Sequence, residues 1–166
     1  VRLTAEAFPG KELMFSEGCV EYSRFADSGE VGKAEMYAHD MLGNLNAGTV
    51  SIIDWNLLLD ARGGPNHVGN FCAAPIMCNA DFTDYEKRLS YYYIGHFSKF
   101  LQKGARRLAT SVYSSDVEIT AFENPGGKVA AVLLNRTERG LWMTLTDGKA
   151  HEGFVLPAHS IITVLL

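Results

Sequence analysis

Residues 11–60 carry a strand, a helix and a second strand within about 50 residues, an order that restricts the fold more than any other feature of the chain. After Pro9-Gly10, residues 11–17 ("KELMFSE") read as a short buried strand. Ser28 stands where a helix cap belongs, and Glu30 follows in the first turn, where the helix dipole favours an acid. From there to Asn46, Tyr37, Met41 and Leu45 recur at helical spacing, joined by Ala34, Ala38 and Leu42 on the same face. Gly48 ends the helix. "TVSIIDWNLLLD", 49–60, is almost continuous in apolar and β-branched residues, as in a strand covered on both faces. Strand, helix, strand with this spacing is a βαβ unit, so the two strands are expected to be parallel neighbours.

The pattern then changes. "ARGGPNHVGN" is a Gly-rich loop, "APIMCN" a short strand and "LSYYYIGHFSKFL" a helix. That helix places Tyr93, Phe97 and Phe100 inward and Tyr92, His96 and Lys99 on the other side. From about residue 104 the chain breaks into short apolar segments at close, regular spacing: "RLATSVYSS", "VEITAFEN", "KVAAVLLN", "GLWMTLTD", "HEGFVLP" and "HSIITVLL". "NPGG", "NRTERG" and "DGKA" punctuate them, as in an antiparallel β-sandwich. Two domains are expected, 1–103 and 104–166.

Composition narrows the function classes. With 47% hydrophobic and 20% charged residues, the 166-residue chain can bury a core. Its net charge of -4 has no basic block of the kind that binds nucleic acid, and no apolar run reaches the roughly 20 residues of a transmembrane helix. Three cysteines, Cys19, Cys72 and Cys78, without CxxC spacing, favour reduced thiols over a zinc site or a disulfide framework. Asn135-Arg136-Thr137 fits the glycosylation pattern, a triplet that recurs by chance. The chain opens at Val1 inside "RLTAEAF", which reads as the last turns of a helix, so it is expected to be part of a longer protein.

Both parallel strands end in polar clusters, Glu17 on the first and Asp54-Trp55-Asn56 on the second. Acids gathered at the C-terminal ends of parallel strands form the sites of open α/β sheets and of (β/α)8 barrels. On spacing alone Glu17 is either a surface acid at a turn or a functional group. Trp55 is either core or a sugar platform, since an indole face suits the C–H face of a pyranose. Asn66, His67 and Asn70 on the Gly-rich loop read as groups that satisfy turn backbone. His39 and His96 read as hydrogen-bonded packing residues on helices.

Five segments in order, "LMFSEGCVEYSRF", "AEMYAHDMLGNLNAG", "IDWNLLLDARGGPNHVGNF", "APIMCN" and "YYYIGHFSKFLQKGARR", resemble the C-terminal half of a glycoside hydrolase family 30 enzyme of the glucosylceramidase type. "AAVLLNRT" and "HSIITVLL" extend the likeness through the last 60 or so residues. The resemblance implies a (β/α)8 barrel with an appended β-sandwich, of which this chain holds barrel strands seven and eight with their helices, then the C-terminal strands of the sandwich. It implies a retaining mechanism on two glutamates. Ser16-Glu17-Gly18-Cys19-Val20 matches the nucleophile motif, so Glu17 is the matching catalytic residue. Trp55 and Asn70 match glucose contacts, and Phe71 and Cys19 match the pocket wall. His67 stands where animal members carry Trp in a loop that flanks the pocket entrance, and "SEGCVEYSRF" and "GGPNHVGNFC" look more like bacterial members.

The family's acid/base glutamate lies in an Asn-Glu motif, and no such pair occurs here. The resemblance therefore implies a substrate of β-glucoside or glucosylceramide type and hydrolysis without metal or organic cofactor. It also implies little activity in the isolated chain, which has no group to protonate the leaving oxygen. It leaves three arrangements for the barrel part: packing on the N-terminal half, pairing with a second copy, or reorganisation. The alternatives are another specificity within the family, such as β-1,6-glucanase or β-xylosidase, and a non-catalytic carbohydrate-binding or interaction module built on the sandwich.

Overall fold

The computed structural model describes residues 1–166, the side chain of Ala26 excepted, as two units, Val1–Gly95 and His96–Leu166. In the first, a short helix α1 (Arg2–Ala7) precedes strand β1 (Leu13–Phe15). Strand β2 (Val20–Glu21), a four-residue helix α2 (Tyr22–Phe25) and a 3-10 turn (Ala26–Ser28) lead into the long helix α3 (Gly29–Asn46). Strand β3 (Thr49–Ile52) returns beside β1 in parallel, with Phe15 opposite Ile52, so the expected βαβ unit is present. The faces of α3 follow its spacing. Ala34, Tyr37, Ala38, Met41 and Leu42 are buried, and Leu45 is half-buried. Ser28 occupies the cap position, but its hydroxyl makes no capping bond. Its backbone is already near the helical region (φ -74, ψ -10) rather than the extended geometry that aims a cap side chain at the first free N–H groups.

The apolar run 49–60 is not one strand. It breaks after Ile52, and Leu58–Leu59 forms a separate strand β4, in a sheet with β6 (Ile76–Cys78) and β7 (Tyr85–Lys87). The polar Asp54-Trp55-Asn56 segment takes the chain out of one sheet and into the other. Nor is the run covered on both faces: Val50 is 60% and Leu57 67% exposed. The strand expected over 11–17 is limited to Leu13–Phe15, which leaves Glu17 in the loop beyond its end. A two-residue strand β5 (Cys72–Ala73) pairs antiparallel with β2, a link with no periodic signal in the sequence.

Helix α4 (Leu89–Ser98) carries the chain from the first unit to the second, with Tyr93 and Phe97 buried and Tyr92 exposed as its spacing predicts. His96, on the side opposite Tyr93 and Phe97, is the hydrogen-bonded packing residue expected of a helical histidine. It is half-buried, its Nδ1 lies 2.8 Å from the Thr163 hydroxyl, and burial lowers its pKa.

The second unit is built from β8 (Arg106–Leu108), β9 (Val117–Glu123), β10 (Val129–Asn135) and β13 (Ser160–Leu165), in the order β13-β10-β9-β8, with every pair antiparallel. Strands β11 (Leu141–Thr146) and β12 (His151–Leu156) form a hairpin. Alternate residues of the two layers meet in one core: Val117, Ala121, Ala131, Leu133 and Leu156 are buried, with Met143, Phe154 and Ile162 against them. Asn135, the acceptor of the glycosylation-like triplet, is fully buried. Its Nδ2 donates to the carbonyls of Arg139 and Pro157, and its Oδ1 accepts from the Thr137 N–H and hydroxyl, so it ties the end of β10 to the turns on either side. Its amide has no route to a glycan in this fold.

Candidate functional site

Glu17 is exposed, two residues beyond Phe15, the last residue of β1. The parallel pairing continues past the formal strand ends: the Ile53 N–H donates to Phe15 O at 2.9 Å, and the Trp55 N–H donates to Gly18 O at 2.8 Å. Those two bonds hold the Glu17 loop against the Asp54-Trp55-Asn56 segment. Gly18 permits the turn, since a Cβ there would fall 2.6 Å from a carbon of the Phe15 ring. Trp55 is half-buried and packs against the small core of Leu59, Cys72, Ala74 and Met77, with Cys19 beside it.

The Asn70–Phe71 loop reaches the same neighbourhood through the β2–β5 pair. The Tyr22 N–H donates to Phe71 O at 2.8 Å, and the Sγ atoms of Cys19 and Cys72 lie 3.0 Å apart. The buried Tyr37 hydroxyl of α3 braces the pair from below, donating to Ala73 O at 3.2 Å and accepting from the Val20 N–H at 3.4 Å. Asn70 Oδ1 is buried and has no hydrogen-bond partner. An amide oxygen in that state is poised to accept from a ligand hydroxyl. Phe71 is half-buried, with the Arg62 guanidinium 5.3 Å from its ring centroid. Upstream, Asp60 Oδ1 accepts from the N–H groups of Arg62 and Gly64 at 2.8 and 2.9 Å, bonds that lower its carboxyl pKa and shape the Gly-rich loop.

All five sequence-selected residues, Glu17, Cys19, Trp55, Asn70 and Phe71, thus sit on segments joined by short backbone or thiol contacts. Asn66 is a turn residue as expected, its Oδ1 accepting from the Gly69 N–H at 2.6 Å, and His67 is exposed. Asp54 was seen only as part of a polar cluster. The structure buries its carboxyl, leaves Oδ2 without a partner, and burial pushes its pKa up to about 6. The signal available was an acid inside an apolar run. Asp54 lines a cavity of about 390 Å³ with Phe15, Cys19, Tyr37 and Ile53; Glu17, Trp55 and Asn70 do not line it. Among the described residues no cluster of three or more His, Cys, Asp or Glu could hold a metal, and no helix is long and apolar enough to cross a membrane.

Asp54 makes stability depend on pH. Its folded pKa lies above the ordinary value near 4, so its contribution is complete below about pH 4 and is lost as pH rises through about 6. After allowance for partial solvent access, Asp54→Asn is expected to stabilise the protein by about 1–2 kcal/mol at neutral pH and to be neutral near pH 4. Urea unfolding of both proteins across that range checks it; a constant difference between them would remove Asp54 as the cause.

Residues 2–101 match the glycosyl hydrolase family 30 TIM-barrel domain, and residues 104–164 match the family's beta sandwich domain. The chain belongs to glycoside hydrolase family 30. It is 35% identical to lysosomal acid glucosylceramidase of Mus musculus over 98% of its length, and 34% identical to putative glucosylceramidase 3 of Caenorhabditis elegans. It spans about a third of each of those relatives: 32% in both cases. Among solved structures it is similar to SrfJ from Salmonella typhimurium, with TM-score 0.92 and 38% identity over 99% of this chain and 37% of that one. An endo-beta1,6-glucanase matches with TM-score 0.81 and 30% identity over 98% of this chain and 36% of that one. As a family 30 chain it carries a portion of the TIM barrel, with no closed barrel among its own strands, followed by the β-sandwich.

Proposed function

We propose that this chain supplies the nucleophile side of the active site of a retaining β-glycosidase that acts on β-glucosides of glucosylceramide type. The observation that carries the reading is the placement of Glu17: an exposed carboxylate at the C-terminal end of a parallel strand, bound through the Gly18–Trp55 backbone hydrogen bond to the segment that carries the half-buried Trp55. Membership of family 30 and the glucosylceramidase relatives support it.

The chemistry follows from one exposed carboxylate at the end of a parallel strand. An oxygen lone pair of Glu17 forms a bond to the anomeric carbon as the glycosidic C–O bond breaks, and the departing oxygen takes a proton from a second carboxylic acid. That acid, then a carboxylate, removes a proton from water, and the water oxygen displaces Glu17 with net retention. The two carboxyl groups must stand about 5–5.5 Å apart, the first ionised and the second protonated. The second glutamate lies outside this chain. Trp55 offers a ring face to the pyranose, Asn70 Oδ1 accepts from a hydroxyl, and Phe71 and Cys19 close the wall. The likeness to the endo-beta1,6-glucanase favours a β-1,6-glucan as the second candidate substrate.

The test compares the 166-residue chain with the parent protein on a chromogenic β-glucoside. The isolated chain is expected to stay at background, since no acid protonates the leaving group. Turnover by the isolated chain within tenfold of the parent's would defeat the reading. Faster turnover of a β-1,6-linked disaccharide than of the β-glucoside by the parent would move the substrate to the second candidate.

A further inference from the structure

Cys19 and Cys72 approach each other from two segments that are 53 residues apart in sequence, across the short β2–β5 pair. Their sulfurs are 3.0 Å apart, and Cys19 precedes Val20, whose partner is Ala73. Both are free thiols. Closing a disulfide requires the sulfurs to move together by about 1 Å, to a bond of roughly 2.05 Å. We propose that Cys19 and Cys72 form a redox modification site, an intramolecular disulfide made at the expense of a small-molecule disulfide such as oxidised glutathione. Cys78, half-buried in β6, takes no part and serves as an internal reference.

Burial sets the order of events. Cys19 is half-buried and Cys72 is 0% exposed, so a bulky oxidant reaches Cys19 first. The Cys19 thiolate attacks one sulfur of the oxidised glutathione, and one glutathione leaves as a thiolate and is protonated. The Cys72 thiolate then attacks the Cys19 sulfur of the mixed disulfide and expels the second glutathione. The two protein thiols lose two electrons and two protons, and the glutathione disulfide gains both pairs to give two thiols. Burial pushes the Cys72 thiol up to about 12, so the second step is the slow one. The bond would tie the Glu17 loop to the strand that follows Asn70 and Phe71, and its formation does not depend on the role assigned to Glu17.

The test incubates the folded, reduced protein with excess oxidised glutathione and follows intact mass, free thiols and a non-reducing peptide map. Free thiols are expected to fall from three to one, the mass to drop by two hydrogens with no glutathione retained, and the linked peptides to contain Cys19 and Cys72. Formation should accelerate about tenfold per pH unit between roughly pH 7 and 9 as the Cys72 thiolate becomes more populated. In Cys72→Ala the reaction should stop at one glutathione on Cys19. A glutathione adduct that persists on the unsubstituted protein at about pH 9, a bond to Cys78, or three thiols unchanged would overturn the proposal, and each is read on that protein whether or not the variant folds.

Discussion

Glu17→Gln in the parent protein is expected to lower kcat for a chromogenic β-glucoside by about 10³–10⁶-fold, the scale seen when a covalent nucleophile is removed. The substitution keeps shape and hydrogen bonding and removes the charged oxygen that would bond to the anomeric carbon. Because Glu17 is exposed, it leaves the surrounding packing alone, so thermal stability should be unchanged. A second variant separates attack from positioning. Glu17→Ala opens space on the face where the carboxylate stood, and added azide can enter there while the second glutamate still protonates the leaving group. The product expected is the α-glycosyl azide, inverted relative to the β-substrate. Activity of Glu17→Gln within tenfold of the unsubstituted protein removes Glu17 from the chemistry. A deep loss with no azide product would leave it a positioning role only.

The scaffold of the site could be read from residue order, because the features that make it are local. A strand within 11–17, an 18-residue helix with an apolar stripe and a returning β-branched strand from 49 each announce themselves within a short window, though both strands are shorter than their runs suggest. The sandwich was legible for the same reason: six strands were expected from 104 onward, and β8 to β13 are present. What escaped was non-local. The β2–β5 pair has two residues on each side and no periodicity, yet it holds Cys19 against Cys72 and brings Asn70 and Phe71 to the Glu17 loop. The run 49–60 is apolar except at Asp54-Trp55-Asn56, where the chain leaves one sheet for another, and a short polar interruption of that kind reads equally well as the end of a strand. "RLATSVYSS" has strand character throughout, but only Arg106–Leu108 finds a partner strand, β9. The burial of Asp54 and the missing partner of Asn70 Oδ1 depend on neighbours far away in sequence. The roles of Glu17, Trp55 and Asn70 came from the family resemblance, since spacing alone left each with an ordinary explanation.

Gly63→Ala is expected to destabilise the protein by about 2–4 kcal/mol, more than its loop position suggests. Gly63 has φ +88, a left-handed conformation that a side chain resists. A Cβ there would lie 2.4 Å from Cys72 O, 2.9 Å from Cys72 N and 2.8 Å from the Tyr22 ring. Two of those atoms are backbone and cannot swing aside. Cys72 is bound at that same point, its N–H donating to Gly63 O at 3.0 Å, so relief requires β5 to move away from the Gly-rich loop. Gly69→Ala supplies the comparison. Gly69 also has positive φ (+80), but nothing lies within 4 Å of its would-be Cβ, so it should cost only about 1 kcal/mol, the conformational penalty alone. Urea unfolding of the two variants therefore isolates the steric part. Equal losses would mean that the contact between Gly63 and Cys72 relaxes without cost. A larger loss at Gly63 should come with displacement of the strand that follows Asn70, and hence with a raised KM in the parent protein, since β5 joins that residue to the Glu17 loop.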